Sequence, residues 1–178
     1  LLVTLASASG QFALFSYLAP FFKATMALSP SSFAILLALV GAAGVAGNTI
    51  ASHIVARFGA PGIILAALIG ILVGLVIIGL FPSNFVLAAI GGMLWGLGTF
   101  SSNSLQQSRL IALAPALAGA SVALNTSTIY LGQAVGAATG GFLITHDVIT
   151  LIPWAGAALL IVAIAATLIA PRLGKQTR

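Results

Sequence analysis

The chain has 178 residues, of which 61% are hydrophobic and only 4% are charged, and its formal net charge is +5. Soluble domains carry about 25% charged residues, so a water-soluble globule, a disordered chain and a soluble enzyme with paired carboxylates are excluded. Asp147 is the single acid, Cys is absent and the six basic residues are scattered, so we expect no metal, no cofactor and no nucleic-acid partner. The composition indicates an integral membrane protein whose first partner is the lipid bilayer.

Charged residues and turns divide the chain into apolar runs, and a membrane-crossing helix needs about 20 apolar residues. The first run ends at Lys23, and turns rich in Pro, Ser and Asn divide the longest charge-free stretches. The runs are too long and too continuously apolar for the alternating strands of a barrel. We therefore predict an all-α fold, a single six-helix transmembrane bundle over residues 1–178. Its spans are expected at about 1–22, 32–55, 63–81, 85–108, 118–144 and 151–170.

Basic residues are unequally distributed over the two ends of these predicted spans. With six spans, Arg57, Arg109 and the tail from Arg172 fall on one side of the membrane, and Lys23 alone falls on the other. Since Lys and Arg accumulate in cytoplasmic loops, we expect a multi-pass protein with both termini in the cytoplasm. Leu1 already lies in an apolar run with no basic segment before it, so we expect a piece of a longer chain rather than a signal peptide.

The middle span of each predicted triplet carries small residues at four-residue spacing. These residues are Ala43, Gly47 and Ala51 in the second span, and Gly132, Gly136 and Gly140 in the fifth. Such stripes let helix backbones approach closely. Because each unit has an odd number of spans, the second triplet enters the membrane from the opposite side. The pattern predicts a 3+3 inverted repeat, which is typical of secondary transporters.

Polar and aromatic residues recur at helical spacing in the first, second, fourth and fifth spans. Polar groups within a membrane tend to face the bundle interior or a water-filled cavity, and neutral ones beside aromatic rings suit an amphiphilic small-molecule solute. The candidate solute-binding residues are Gln11, Phe15, Asn48, Trp95, Thr99, Asn103, Asn125 and Gln133. The alternative for each is hydrogen bonding between helices, which for Asn48 and Asn125 is equally favoured.

Catalytic and proton-carrying groups are not visible within the predicted spans. Asp147 and His146 fall at the outer end of the fifth span, and His53 falls near the inner end of the second. A proton-coupled carrier usually has an acid or a histidine relay inside the membrane. No nucleophile–base pair and no phosphate-binding loop is present in the sequence, so we predict no catalytic residues and no enzymatic activity.

Several strings of the sequence carry a family resemblance. They are Tyr17-Leu18-Ala19-Pro20-Phe21-Phe22, Leu28-Ser29-Pro30, Gly44-Val45-Ala46-Gly47-Asn48, Gln106-Gln107-Ser108-Arg109, and Gly132-Gln133-Ala134-Val135-Gly136. They resemble helices seven, eight, ten and eleven of major facilitator superfamily transporters, and most of all the bacterial drug and sugar efflux branch. Arg57, Phe58 and Gly59 match the basic cytoplasmic turn of that family, whereas Ala56 replaces its acid.

This resemblance implies the carboxy-terminal half of a twelve-helix, alternating-access efflux carrier for small amphiphilic solutes in a bacterial inner membrane. Its partner would be the missing amino-terminal six-helix half, which would also supply the proton-coupling acid, or a second copy of the chain. Two alternatives remain open. One is a self-standing six-helix carrier that acts as a homodimer, and the other is a membrane scaffold that transports nothing.

Overall fold

The structure, a computed structural model, describes residues 1–113 and 115–173, and these residues form an all-α fold with no strand. The helices are α1 (Leu2–Phe15), α2 (Leu18–Met26), α3 (Pro30–Leu80), α4 (Phe85–Leu113), α5 (Ala118–Thr145) and α6 (Ile152–Leu173). Short 3-10 turns, Pro115–Leu117 and Ile149–Leu151, precede α5 and α6. The all-α membrane class is therefore as predicted, whereas Lys175 and Arg178 of the expected cytoplasmic tail lie outside the described residues.

Helices α3, α4 and α6 are long and apolar enough to cross a membrane, and the bent pair α1–α2 is a fourth candidate span. Helix α5 has 28 residues, but its most apolar stretch is less apolar than those of α3, α4 and α6. The large apolar side chains on the outside of the bundle include Ile35, Val45, Val73, Phe142 and Ile161. A soluble monomer rarely exposes so much apolar surface, so this surface fits contact with lipid.

The first predicted span, at about 1–22, is a broken helix in the structure. Helix α1 ends at Phe15, α2 begins at Leu18, and the two axes differ by 47°. Pro20 explains the break, because it lacks the N–H that would bond to the Ser16 carbonyl and its ring crowds that carbonyl. Helix α2 continues past Lys23 to Met26, so the apolar run and the helix end at different residues.

Helix α3 covers the second and third predicted spans without a loop between them. It has 51 residues, which at 1.5 Å per residue is far longer than the roughly 30 Å hydrocarbon core of a bilayer. Gly59 alone leaves the helical conformation, with φ 72° and ψ 150°, and glycine adopts this positive φ without the penalty of a Cβ. Pro61 follows and cannot donate to the Arg57 carbonyl. The chain therefore changes direction at Gly59, between two helical segments of α3.

Two sets of contacts hold the bundle together. Helix α4 packs along both segments of α3, while α1 packs against α5 and α6, and α3 also contacts α6. The buried core between these sets includes Leu68, Ile71 and Leu75 of α3 and Ile152 and Leu160 of α6. In water, burial of each such side chain stabilises the folded state by about 1.5–3 kcal/mol. Within lipid, helix association depends instead on close packing at small residues.

Candidate functional site

A cavity of about 400 Å³ opens between α1, the first segment of α3, α4 and α5. Small-ligand sites typically have volumes of about 300–1,000 Å³, so this cavity is large enough for a small solute. Its walls are formed by Phe12, Phe15, Leu37, Val40, Gly41, Trp95, Thr99, Phe100, Asn103 and Gln133. Five of the eight sequence-predicted residues are in this set: Phe15, Trp95, Thr99, Asn103 and Gln133.

The aromatic wall of the cavity joins α1 to α4. The Phe15 ring stacks on the Trp95 indole, with 5.4 Å between ring centroids and an interplanar angle of 20°. Phe12 meets Phe15 edge-on, with centroids 5.2 Å apart. Trp95 is only 8% exposed and Phe15 is 43% exposed, so Phe15 presents its outer face to the cavity and covers the indole. Such a ring face favours a flat or apolar part of a ligand.

The polar wall of the cavity is uncharged. Thr99 donates its hydroxyl proton to the Trp95 carbonyl over 2.7 Å, so its oxygen remains free only to accept. Asn103 and Gln133 are half-buried, and within residues 1–113 and 115–173 neither amide has a hydrogen-bond partner. Since no described wall residue is charged, the cavity provides neutral donors and acceptors rather than a counter-charge.

Gln11 lies one helical turn before Phe15 on α1, behind the cavity wall. Its side chain is 2% exposed, and its Nε2 has no hydrogen-bond partner within the described part of the chain. The same holds for Nε1 of Trp95. Most buried donors in proteins are paired, so these two nitrogens distinguish the neighbourhood of the cavity from the rest of the bundle.

The other two predicted residues lie away from the cavity. Asn48 is exposed on α3 and is not a wall residue. Asn125 is 1% exposed, and its Oδ1 accepts a 2.9 Å hydrogen bond from Thr4 Oγ1. That bond joins α5 to α1. It is a hydrogen bond between helices, which was the alternative prediction for Asn125.

Sequence reasoning missed the apolar part of the wall on α3. Leu37 and Gly41 precede Gly44 and Asn48 at helical spacing, so they extend the face that the polar residues define. A search weighted toward polar residues passes over them. Following the same face backward by three and four residues would have found both.

Comparison with known proteins gives three informative relatives, although no family model matches the chain. An uncharacterized MFS-type transporter of Bacillus subtilis, YbcL, is 23% identical over 155 residues, covering 87% of this chain and 40% of its own length. The inner membrane transport protein YdhP of Escherichia coli K12 is 29% identical over 82% of the chain. A probable sugar efflux transporter of Helicobacter pylori is 28% identical over 88% of the chain. The resemblance to the major facilitator superfamily is confirmed.

The chain spans about two fifths of the length of the curated relatives that it matches. These relatives are named as transporters or transport proteins, in agreement with the prediction that the chain is not an enzyme.

Proposed function

We propose that the chain is the carboxy-terminal six-helix half of an alternating-access carrier that exports small amphiphilic solutes. The observation that carries this proposal is the cavity, in which a stacked aromatic pair from two helices faces uncharged polar side chains. The names of the relatives support it, since they include a probable sugar efflux transporter and an inner membrane transport protein. We extend efflux and an inner-membrane location from these relatives to this chain, and we place it in a bacterial inner membrane.

Reciprocal helix packing supports six spans arranged as a 3+3 inverted repeat. On this proposal α1–α2 forms the first span and the two segments of α3 form the second and third. The first helix of each triplet then packs against the second and third helices of the other. Glycine contacts match at a nearly constant offset: Ser9–Gly136 corresponds to Leu97–Gly47, and Gly10–Gly156 corresponds to Gly98–Ala67. This equivalence is expected if both triplets share one fold.

The open side of the cavity supports the proposed partner. Three large apolar side chains, Phe15, Leu37 and Phe100, are exposed at the mouth of the cavity. The same cavity also contains amide groups. The amino-terminal half of the carrier would cover this face and form the opposite wall. A second copy of the chain could cover the same face, and transport by the chain alone would distinguish the two partners.

The basic residues support an orientation with both termini in the cytoplasm. Arg57 precedes the break at Gly59, and Arg109 lies in the last two turns of α4. Lys23 lies in the last turn of α2, at the other end of the proposed spans. The excess of basic residues near Gly59 and the end of α4 therefore marks the cytoplasmic side.

Solute binding by the chain in lipid nanodiscs tests the proposal. The probe is phenyl β-glucoside, which is uncharged and combines one aromatic ring with several hydroxyls, and binding is measured by equilibrium dialysis. Trp95→Ala should weaken binding roughly tenfold or more, as truncation of a central aromatic contact does. The matched control is Trp154→Ala, because Trp154 packs beside Gly79 and away from the cavity.

The outcomes separate the proposed half-carrier from its rivals. Equal losses in both variants that follow the loss of folded protein would argue against solute contact at Trp95. Facilitated flux of the glucoside through liposomes that contain only this chain would favour the homodimer. Absence of both binding and flux in the folded chain would favour the scaffold.

A further inference from the structure

Two buried nitrogen donors near the cavity have no acceptor. They are Nε1 of Trp95 and Nε2 of Gln11, both shielded from solvent and both without a hydrogen-bond partner in residues 1–113 and 115–173. An indole N–H can only donate, so nothing except an acceptor atom can satisfy Trp95. Because buried donors in folded proteins are nearly always paired, the structure leaves a place for an acceptor that the chain itself does not supply.

Phe15 is the neighbour that these two side chains share. Its ring stacks on the Trp95 indole, and Gln11 precedes it by four residues on α1, so the two side chains are neighbours on one helix face. Phe15 is also the exposed member of the group and forms part of the cavity wall. The Phe15 ring covers a face of the Trp95 indole, and the N–H lies at the edge of the indole, in the plane of its ring.

We propose that the solute carries a hydrogen-bond acceptor that enters beside Phe15, reaches the edge of the Trp95 indole and accepts a hydrogen bond from Trp95 Nε1. Gln11, one helical turn before Phe15 on α1, carries a second unpaired donor, Nε2. This inference rests on the proposed function and narrows its substrate class to uncharged compounds that combine a planar apolar part with an acceptor, such as a ring nitrogen or a carbonyl oxygen.

Each chemical property proposed for the solute follows from a feature of the site. The described cavity wall contains no charged residue, and an ionised solute without a counter-charge would lose its hydration uncompensated. The Phe15 and Trp95 rings provide flat apolar faces for a planar solute. A site with a fixed donor discriminates strongly against analogues that lack the acceptor, because its own donor then remains unpaired.

The test uses quinoline and naphthalene, which have the same shape but differ in one ring nitrogen, at a mildly alkaline pH where quinoline is uncharged. The chain has two Trp residues, so nitrogen-15 labelling gives two indole N–H signals, and Trp154→Phe assigns them. We expect quinoline to move the Trp95 indole proton downfield, as hydrogen bonding does, and naphthalene not to do so. The Trp154 signal should stay in place with both probes.

Affinities measured by equilibrium dialysis provide the second readout. Trp95→Phe keeps an aromatic ring and removes the donor, so the affinity for quinoline should fall roughly threefold to tenfold and the affinity for naphthalene should stay the same. Trp154→Phe should change neither affinity. If Trp95→Phe does not fold, the titration of the unaltered chain still decides, because it needs no substitution at Trp95.

Three results would overturn the inference, and they differ from those that would overturn the proposed function. Equal affinities for the two probes, a downfield shift caused by both, or quinoline binding that leaves the Trp95 signal in place would each reject the acceptor requirement and leave the solute cavity standing. Failure of all three compounds to bind the folded chain would reject the cavity as a solute site, and this inference with it.

Discussion

The hydroxyl of Thr4 donates a hydrogen bond to Oδ1 of Asn125 over 2.9 Å and thereby ties α1 to α5 inside the bundle. Thr4 is 3% exposed and Asn125 is 1% exposed, so neither group can exchange the bond for one to water. The two residues are 121 positions apart. The bond therefore depends on how α1 and α5 pack against each other, which cannot be predicted from the sequence around either residue.

Thr4→Val is expected to destabilise the protein through this bond. Valine keeps the shape of threonine and removes the donor, which leaves the Asn125 oxygen buried and unpaired. Interhelical hydrogen bonds within membranes average about 0.6 kcal/mol and reach about 1.7 kcal/mol, so the thermal unfolding midpoint in detergent should fall measurably. The control is Thr49→Val, since Thr49 is exposed and its hydroxyl donates to the Val45 carbonyl of its own helix. Equal midpoints for the two variants would contradict the role given to the Thr4–Asn125 pair.

Gly136→Ala is expected to disturb the contact between α5 and α1. A Cβ at Gly136 would collide with the Ser9 carbonyl oxygen and lie 2.9 Å from the Ala13 nitrogen, and both are backbone atoms that cannot move aside separately. Overpacking of this kind typically costs about 1–3 kcal/mol. Gly119→Ala on the same helix is the matched control, because nothing lies within 4 Å of its Cβ position. It should leave the unfolding midpoint unchanged or raise it slightly, since alanine favours the helix. Equal effects at the two positions would mean that α5 does not rest on α1 along this stripe.

Gln11→Met is expected to be tolerated, whereas Asn125→Leu is not. Both substitutions replace a buried amide with an apolar side chain of similar size. The Nε2 of Gln11 has no partner to lose, so removing it avoids the roughly 1–3 kcal/mol penalty of an unpaired buried group. Asn125 loses its bond to Thr4 and leaves that hydroxyl unpaired. Unfolding of the two variants in the same detergent compares them directly, and a lower midpoint for Gln11→Met than for Asn125→Leu would show that the Gln11 amide is paired in the folded protein.

Local signals in the sequence account for much of the helix architecture. Helix α4 begins at Phe85, directly after the Pro-Ser-Asn turn, and the Asn84 side chain accepts a hydrogen bond from the Leu87 N–H. Turn chemistry of this kind acts within a few residues, so it can be predicted from the sequence. The break after Phe15 was missed because it lies within one uninterrupted apolar run, although Pro20 is a local signal for it. There the Tyr17 hydroxyl donates to the Ala137 carbonyl in α5 over 2.9 Å, a contact that depends on tertiary packing.

The candidate site shows the same division between local and long-range information. Trp95, Thr99 and Asn103 share one helix face, so helical spacing alone groups them. The addition of Phe15 and Gln133 to this group depends on the packing of α1 and α5 around α4. Spacing within a single helix is the same for a cavity residue and for a residue that forms an interhelical hydrogen bond, such as Asn125. Only the position of Thr4 in the folded protein identifies Asn125 as the second kind.

Membrane orientation can be measured with single cysteines, because the native chain contains none. Ser108→Cys lies beside Arg109 and Ala24→Cys lies beside Lys23, and both positions are exposed. An impermeant maleimide should label Ala24→Cys in intact cells, and should label Ser108→Cys only after the membrane is permeabilised, because Lys and Arg accumulate in cytoplasmic loops. The unaltered chain provides the blank. Labelling of Ser108→Cys from outside would reverse the proposed topology.

This chain alone is expected not to drive solute transport with a proton gradient. Asp147 is its only acid, and it lies beyond the end of α5, just before the turn that leads into α6. His53 is exposed on α3, with Nδ1 2.7 Å from the Thr49 carbonyl oxygen. A proton bound at that position would not have to pass from one side of the membrane to the other during transport. Alternating access also requires a second helix bundle opposite the first.

Liposomes that contain only this chain, loaded with phenyl β-glucoside and exposed to a pH gradient, test the expectation. His53→Ala and His146→Ala are compared with the unaltered chain, since these are its two histidines. We expect no accumulation that a protonophore abolishes in any of the three. Protonophore-sensitive accumulation that survives His53→Ala would show that coupling does not need an intramembrane acid from the proposed amino-terminal half. Accumulation lost on His53→Ala and kept on His146→Ala would instead identify His53 as the proton site.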